Sequence, residues 1–356
     1  MSGRGTGCAP AAGPGEREGW LPVHGKRNTA MVLVAVGVLL IATSVIAAAA
    51  GASSVGMADV VRYLVGMPVE PKAATILASV RLPRIAAALI SGCALAAAGF
   101  IIQTVLDNPM ASPNVIGINA GAGFFVLLIA CLFPLRYELA PIGAFVWAAL
   151  SAGFVFALSA LTRASRLAVV LTGMALTAVF TAGMNAILIV NPDAYVGSAR
   201  FLVGGLSGVL MKNLVVPGIL VAAGLVVAFM CGKRLDIIQL GRQAAHSLGL
   251  NVTVFRLLAL AVAALLAGSS VSFAGMIGFV GLIVPHVARM VFPTGATRQL
   301  ALSVLLGAFF VVACDLVART TFAPYEIPVG IVMSVLGGPF FIYLVFRHGR
   351  GGRLHD

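Results

Sequence analysis

Apolar segments long enough to cross a lipid bilayer follow one another almost without interruption from Met31 to Phe346. A helix needs about 20 apolar residues to span the hydrocarbon core. Of the 356 residues, 60% are hydrophobic and only 10% are charged, and the mean hydropathy is +1.07. A water-soluble domain of this length needs more polar residues to cover its surface. The sequence therefore predicts an all-α polytopic membrane protein.

Charges, Pro/Gly clusters and polar turns divide this apolar sequence into ten predicted transmembrane helices. Their approximate ranges are 30–50, 85–106, 115–134, 141–161, 168–190, 214–231, 253–272, 276–292, 299–317 and 327–346. Residues 29–348 would form one membrane domain, between a disordered cytoplasmic tail at 1–28 and a short cytoplasmic tail at 349–356. We interpret the first apolar run as a retained span, because no small-residue cleavage site follows it.

The distribution of Lys and Arg predicts the orientation, since short cytoplasmic loops carry an excess of these residues. The formal net charge of +12 comes from residues that stand singly or in pairs between apolar runs, which is unlike a nucleic-acid-binding face. With both termini in the cytoplasm, the inner side receives Lys26, Arg27, Arg163, Arg166, Lys233, Arg234, Arg242, Arg256, Arg289, Arg298, Arg347, Arg350 and Arg353. The outer side keeps Arg62, Lys72, Arg81, Arg84, Arg136, Arg200, Lys212 and Arg319.

Five spans on each side of the midpoint predict two inverted five-helix halves, a plan common among transporters. The tetrapeptides at 98–101 (AGFI) and 274–277 (AGMI) fall at roughly corresponding places in the two halves. Gly and Ala abound throughout the spans, as expected where close backbone approach drives helix packing in lipid.

The sequence contains no Gly-x-x-x-x-Gly-Lys-[Ser/Thr] loop, because Lys26 and Lys233 are each followed by arginine. We therefore predict a transport subunit without an ATPase site, energised by a partner or by an ion gradient. An ion-coupled carrier usually has an ionisable residue near the bilayer midplane, and the span centres hold nothing more polar than Gln103 or Asn185. An intramembrane enzyme would need a catalytic pair on facing spans, which the sequence does not offer.

Three separated segments carry a resemblance to a known family. They are Arg81 to Arg84 (RLPR) continuing through Gln103 to 108–113 (NPMASP), then 278–289 (GFVGLIVPHVAR), and finally 326–330 (EIPVG) with 337–341 (GGPFF). In this order they closely resemble the permeases of the iron-siderophore, haem and cobalamin uptake family of ABC importers, the FecCD-type or type II importers. The resemblance extends from about Val60 to Arg347.

The resemblance implies a ten-helix permease in the bacterial cell membrane that forms a homo- or heterodimer around a central path for a metal chelate. A cytoplasmic ATPase on each subunit would bind ATP and Mg, and an extracytoplasmic binding protein would deliver the substrate. The chain itself is expected to hold no cofactor and no metal. Iron-siderophores, haem and cobalamin share these permease motifs, so the chelate stays open.

The resemblance also implies that a cytoplasmic coupling segment lies at about 236–252 and contacts the ATPase. We expect residues 240–250 to form a short amphipathic helix, and an interfacial helix on lipid headgroups is the alternative. The family usually has an acidic residue at the position of Arg242, so contacts with the partner are in doubt there. The predicted contact residues are Leu240, Gly241, Arg242, Ala245, Leu248 and Gly249.

On the outer side, the resemblance implies that Arg81, Arg84 and Arg319 pair with carboxylates of the binding protein. Complementary charge at a rim sets encounter rate and register. The alternatives are that the first two arginines extend to lipid headgroups and that Arg319 pairs with Asp315 at i,i+4 spacing.

Four polar or helix-ending residues are candidates for the translocation path or its inner gate: Gln103, Asn108, Pro109 and Asn185. Asn108 and Pro109 could also simply end a helix. His286 has no second His, Cys or carboxylate at ligand spacing, which favours a structural polar cap over a metal ligand.

Overall fold

The computed structural model describes residues 26–51, 55–133, 136, 139–161, 166–323 and 325–351. These residues form helices and connecting turns with no β-strand, which confirms the predicted all-α class. The helices are α1 (Lys26–Ala49), α2 (Met57–Leu64), α3 (Pro71–Ile76), α4 (Leu82–Leu106), α5 (Ile118–Leu132), α6 (Ala140–Leu161), α7 (Arg166–Val190), α8 (Asp193–Val203), α9 (Met211–Met230), α10 (Gly232–Gln239), α11 (Arg242–Ser247), α12 (Val252–Ala274), α13 (Val280–Val291), α14 (Ala296–Thr320) and α15 (Val329–Gly351).

Ten of these helices coincide with the ten predicted spans. By length and composition, seven helical stretches of the described chain can cross a membrane, and they lie in α1, α3–α4, α6, α7, α9, α12 and α14. The other three spans correspond to the shorter apolar helices α5, α13 and α15. The short helices α2 and α8 were not predicted. The first span begins at Lys26 and the last ends at Gly351, three residues into each predicted tail, and the rest of both tails lies outside the described residues.

The predicted start of the second span at residue 85 is wrong, because the helix begins at Pro71. The Arg-Leu-Pro-Arg sequence at 81–84 indicates a helix start, because proline is tolerated in the first turn of a helix. Pro83 has no N–H to donate, so the helix needs another hydrogen-bond arrangement here. A π-helical turn at Leu77–Arg81 lies just before Leu82 and Pro83, and the N–H of Leu82 donates to the carbonyl oxygen of Leu77. This turn joins α3 to α4 in one continuous element.

Helix α4 forms the centre of the packed molecule and contacts α9, α12, α13 and α14. Almost every residue from Ser91 to Leu106 is buried. At Gly92, the helix passes so close to α14 that a Cβ would lie 2.3 Å from the carbonyl oxygen of Gly307. Lipid provides no hydrophobic force between helices, so this close backbone approach supplies the packing energy.

The order and packing of the helices agree with two five-helix halves. Helices α1, α4, α5, α6 and α7 correspond in order to α9, α12, α13, α14 and α15. The contact of α4 with α14 has its counterpart in the contact of α12 with α6, and the contact of α4 with α13 in that of α12 with α5. In each half a non-helical segment, 107–117 or 275–279, precedes the short third helix.

Candidate functional site

The three arginines predicted to face a binding protein lie together where α1 ends, α4 begins and α14 ends, which we name the outer end. Their exposed fractions are only 3% for Arg81, 6% for Arg84 and 5% for Arg319. A buried guanidinium needs partners inside the protein, because an unpaired buried charge is costly. With Asp315 and Glu326, the three arginines form what we call the outer ion cluster.

Arg84 is held by two carboxylates from the second half of the chain. Its Nε lies 3.0 and 2.9 Å from the two carboxylate oxygens of Asp315 on α14. Its Nη1 donates to Oε2 of Glu326 at 2.7 Å. Hydrogen bonds between charged groups are stronger than neutral ones, so Arg84 joins α4 to α14 and to the segment that leads into α15.

Arg81 and Arg319 bind the carboxyl end of α1. Arg81 Nη1 donates to the carbonyl oxygens of Ala48 and, at 2.7 Å, of Ala49. Arg319 Nη2 donates to the carbonyl oxygen of Ala47. The last carbonyls of a helix have no partner within it and carry partial negative charge, which favours cations there.

The predicted pairing within α14 is present, since Arg319 Nε lies 3.8 Å from Oδ2 of Asp315. The docking role of the three arginines stays a prediction. In the structure all three side chains already bind carboxylates or backbone carbonyls of the chain itself. Sequence reasoning missed Glu326, although it is the first residue of the EIPVG motif, and it missed the carbonyl groups of α1, which carry no side-chain signal.

The coupling segment lies at the opposite, inner end, where α4 ends and α14 begins. Within the short helix predicted at 240–250, the residues Arg242–Ser247 are helical and form α11. Helices α10 and α11 are separated at Leu240 and at Gly241, whose φ of +96° favours glycine. An Asp236 carboxylate oxygen accepts from the N–H of Ala296, the first residue of α14. The segment is thereby fixed to the membrane helices.

The predicted coupling residues divide into exposed and internal ones. Leu240 and Leu248 are exposed, the latter by 61%, whereas Ala245 is buried. The carbonyl oxygen of Ala245 accepts from the N–H of Leu250, and Gly249 has a φ of +78° that permits the reversal after α11. Arg242 is the first residue of α11. Two exposed leucines therefore flank the short helix α11, whose ends are formed by tight turns.

Gln103 lies between helices rather than on an open path. The side chain is buried, and Nε2 donates to the carbonyl oxygens of Gly281 at 3.0 Å and Leu282 at 3.3 Å. Its Oε1 accepts from Arg289. Gln103 thus joins α4 to α13, and it donates to the carbonyl of Gly281, whose intrahelical partner is missing because Pro285 has no N–H.

The other three path candidates lie apart from Gln103. Asn108 accepts from the N–H of Met110 and, with the exposed Pro109, forms the turn after α4, where Asp107 adopts a φ of +47°. Asn185 is exposed on α7. The structure does not bring these residues together, and their role in a path stays a prediction.

No group of three or more potential metal ligands occurs among the described residues. The ring of His286 contacts the ring of Phe340 edge to face, with centroids 6.1 Å apart. This contact fits a packing role for His286.

Ten apolar helices in two related halves, with an ion cluster at one end and a polar segment of two short helices at the other, define a multi-pass membrane permease. The sequence profile of the FecCD transport family matches residues 39–347, and the chain belongs to that family.

Similar proteins cover most of the chain. The Fe(3+)-citrate import system permease protein YfmE of Bacillus subtilis is 34% identical over 90% of this chain and 96% of its own length. The hemin transport system permease protein HmuU of Yersinia pestis is 34% identical over 76% of this chain and 82% of its own length. A solved structure described as an inward-facing conformation of a metal-chelate type ABC transporter matches with a TM-score of 0.79 at 26% identity, covering 89% of this chain and 99% of the other.

Proposed function

We propose that this chain is the permease subunit of an ABC importer that moves an iron(III)-siderophore, or a related chelate such as haem or cobalamin, into the cytoplasm. The observation that carries the proposal is membership of the FecCD transport family over residues 39–347. The relatives named for ferric citrate and hemin transport support a metal chelate as the substrate class.

A separate cytoplasmic ATPase, which binds ATP and Mg, supplies the energy. The sequence lacks the phosphate-binding loop that this chemistry requires. The coupling segment offers the contact surface for the ATPase, because Leu240 and Leu248 protrude from a support fixed to α14 through Asp236. A protruding apolar side chain can occupy a groove of a partner and transmit rigid-body motion.

A second permease subunit, identical or homologous, completes the path. Helix α7 has little contact with the rest of the chain and exposes apolar side chains along its length. The polar side chain of Asn185 is exposed on the same helix. A polar side chain on such a face suits the wall of a path better than it suits lipid. A substrate-binding protein docks at the outer end, over the outer ion cluster.

The decisive test is transport by the purified chain in liposomes. We expect uptake of a ferric siderophore, haem or cobalamin only when the ATPase and the binding protein encoded beside the permease gene are added with ATP. An ATPase variant that binds but does not hydrolyse ATP is the control. Uptake driven by a proton or sodium gradient without any ATPase would instead support the secondary carrier, the second candidate.

A further inference from the structure

We propose that Glu326 is an exchangeable internal partner of Arg84. Its carboxylate binds the Arg84 guanidinium until a carboxylate of the docked binding protein replaces it. The inference rests on the proposed function and adds a regulation to the docking surface. In this scheme the free permease holds its own outer end closed, and docking breaks the contact.

The two carboxylates on Arg84 differ in how firmly they are held. The Asp315 side chain is 4% exposed and sits on α14, with both oxygens within 3.0 Å of Nε. The Glu326 side chain is 44% exposed, belongs to a non-helical segment and makes one hydrogen bond to Nη1. A partly exposed pair is weakened by solvent, so Glu326 is the partner that can leave at low cost.

The charge of the cluster favours an incoming anion. Among the described residues, the cluster brings three guanidinium groups together with the carboxylates of Asp315 and Glu326. Within the described chain, the buried Nε of Arg319 donates no hydrogen bond. Basic side chains at a protein rim raise the encounter rate with a partner of opposite charge. A partner carboxylate can therefore take the place of Glu326 while the rest of the cluster stays paired.

The segment that carries Glu326 leads directly into the last span. The N–H of Ile327 donates to the carbonyl oxygen of Ala318, and the N–H of Gly330 to that of Gly204. At Gly330, a Cβ would lie 1.9 Å from the carbonyl oxygen of Val203, so α15 begins in direct contact with the segment after α8. Release of Glu326 would loosen this entry, which links docking to α15 and α8.

The test is the affinity of the binding protein for the permease–ATPase complex in lipid nanodiscs. Glu326→Gln keeps the shape of the side chain and removes its charge. We expect it to bind the binding protein about threefold to tenfold more tightly than wild type, because the internal competitor is weakened. Glu70→Gln is the control, since Glu70 is exposed before α3 at the same end and outside the cluster.

Each outcome decides the proposal. An equal gain in affinity in both variants would assign the effect to net charge. Unchanged or weaker binding by Glu326→Gln, with an unchanged melting temperature, would mean that Glu326 is purely structural or that it contacts the binding protein itself. Either result overturns the exchange. A gain seen only in nanodiscs lacking anionic lipid would identify an anionic lipid headgroup as the occupant of the guanidinium, which also overturns the exchange. If wild type binds no binding protein at all, the proposed function fails instead.

Discussion

Gly99 shows how a single residue sets the distance between two spans. A Cβ at this position would lie 1.9 Å from the carbonyl oxygen of Gly281 and 2.4 Å from its Cα. These neighbours are backbone atoms of α13, so they cannot turn aside as a flexible side chain can. Helices α4 and α13 must move apart to admit a methyl group.

We therefore expect Gly99→Ala to lower the free energy of unfolding by about 1–3 kcal/mol, the usual range for overpacking. The measurement is unfolding of the detergent-solubilised permease, followed by circular dichroism. Gly153→Ala in α6 is the matched control, because no atom lies within 4 Å of a Cβ built there. Equal stability of the two variants would mean that α4 and α13 are not in the described close contact.

The residues of both candidate sites were only partly predictable. Abundant Gly and Ala predicted close packing, but nothing in the sequence indicates that Gly99 meets Gly281. Arg84 was identified as functional, yet its carboxylate partners lie 231 and 242 residues away in the chain. The groups that bind Arg81 are backbone carbonyls, which every residue possesses and no sequence pattern reveals.

At the scale of elements, α10 and α11 lie where the sequence predicts the coupling segment, because a polar stretch with Lys233, Arg234 and Arg242 separates two long apolar spans. The contact of this segment with an ATPase stays a prediction. The internal break of the segment was not predicted, although Gly241 is the residue that permits it. The π-helical turn before Pro83 was not predicted either, because the sequence there indicates a start of the helix where the structure continues it. Proline is typical of the first turn of a helix, so the sequence around Pro83 indicates a helix start, whereas in the structure the helical stretch continues through it.

The exposed leucine of the coupling segment allows a direct test of ATPase binding. We expect Leu248→Asp to reduce the ATPase that co-purifies with the permease by at least about tenfold, since a charge in an apolar groove is left without a partner. Leu64→Asp on α2 is the control, because Leu64 is 59% exposed and Leu248 61%, and α2 belongs to the outer end. Normal co-purification of the Leu248 variant would exclude this leucine from the ATPase contact.

At the scale of the whole molecule, hydropathy located ten apolar helices, and seven helical stretches of the described chain have the length and composition that lipid imposes on a crossing helix. The same reasoning could not detect α2 and α8, of eight and eleven residues. Helices of this length do not cross the membrane, and their apolar faces are too short to stand out from the neighbouring spans. The packing of α4 against α14, which joins the two halves, depends on tertiary contacts that no linear pattern records.

The basic residues predict the orientation of this architecture, and the prediction can be tested with single cysteines. In a variant without Cys8, Cys93, Cys131, Cys231 and Cys314, we would place one cysteine at Tyr325 or at Gln243, both exposed and located at the outer and the inner end. A membrane-impermeant maleimide added to intact spheroplasts should label Tyr325→Cys and spare Gln243→Cys.

The physical reason is that exposed Lys233 and Arg234 lie beside the coupling segment, and short loops rich in such residues stay in the cytoplasm. Lysing the cells provides the control, because both variants should then react to a similar extent. Labelling of Gln243→Cys alone in intact spheroplasts would show that the orientation in the membrane is the reverse of the predicted one. The outer ion cluster would then face the cytoplasm, where it could not receive an extracytoplasmic binding protein, and the coupling segment could not reach an ATPase.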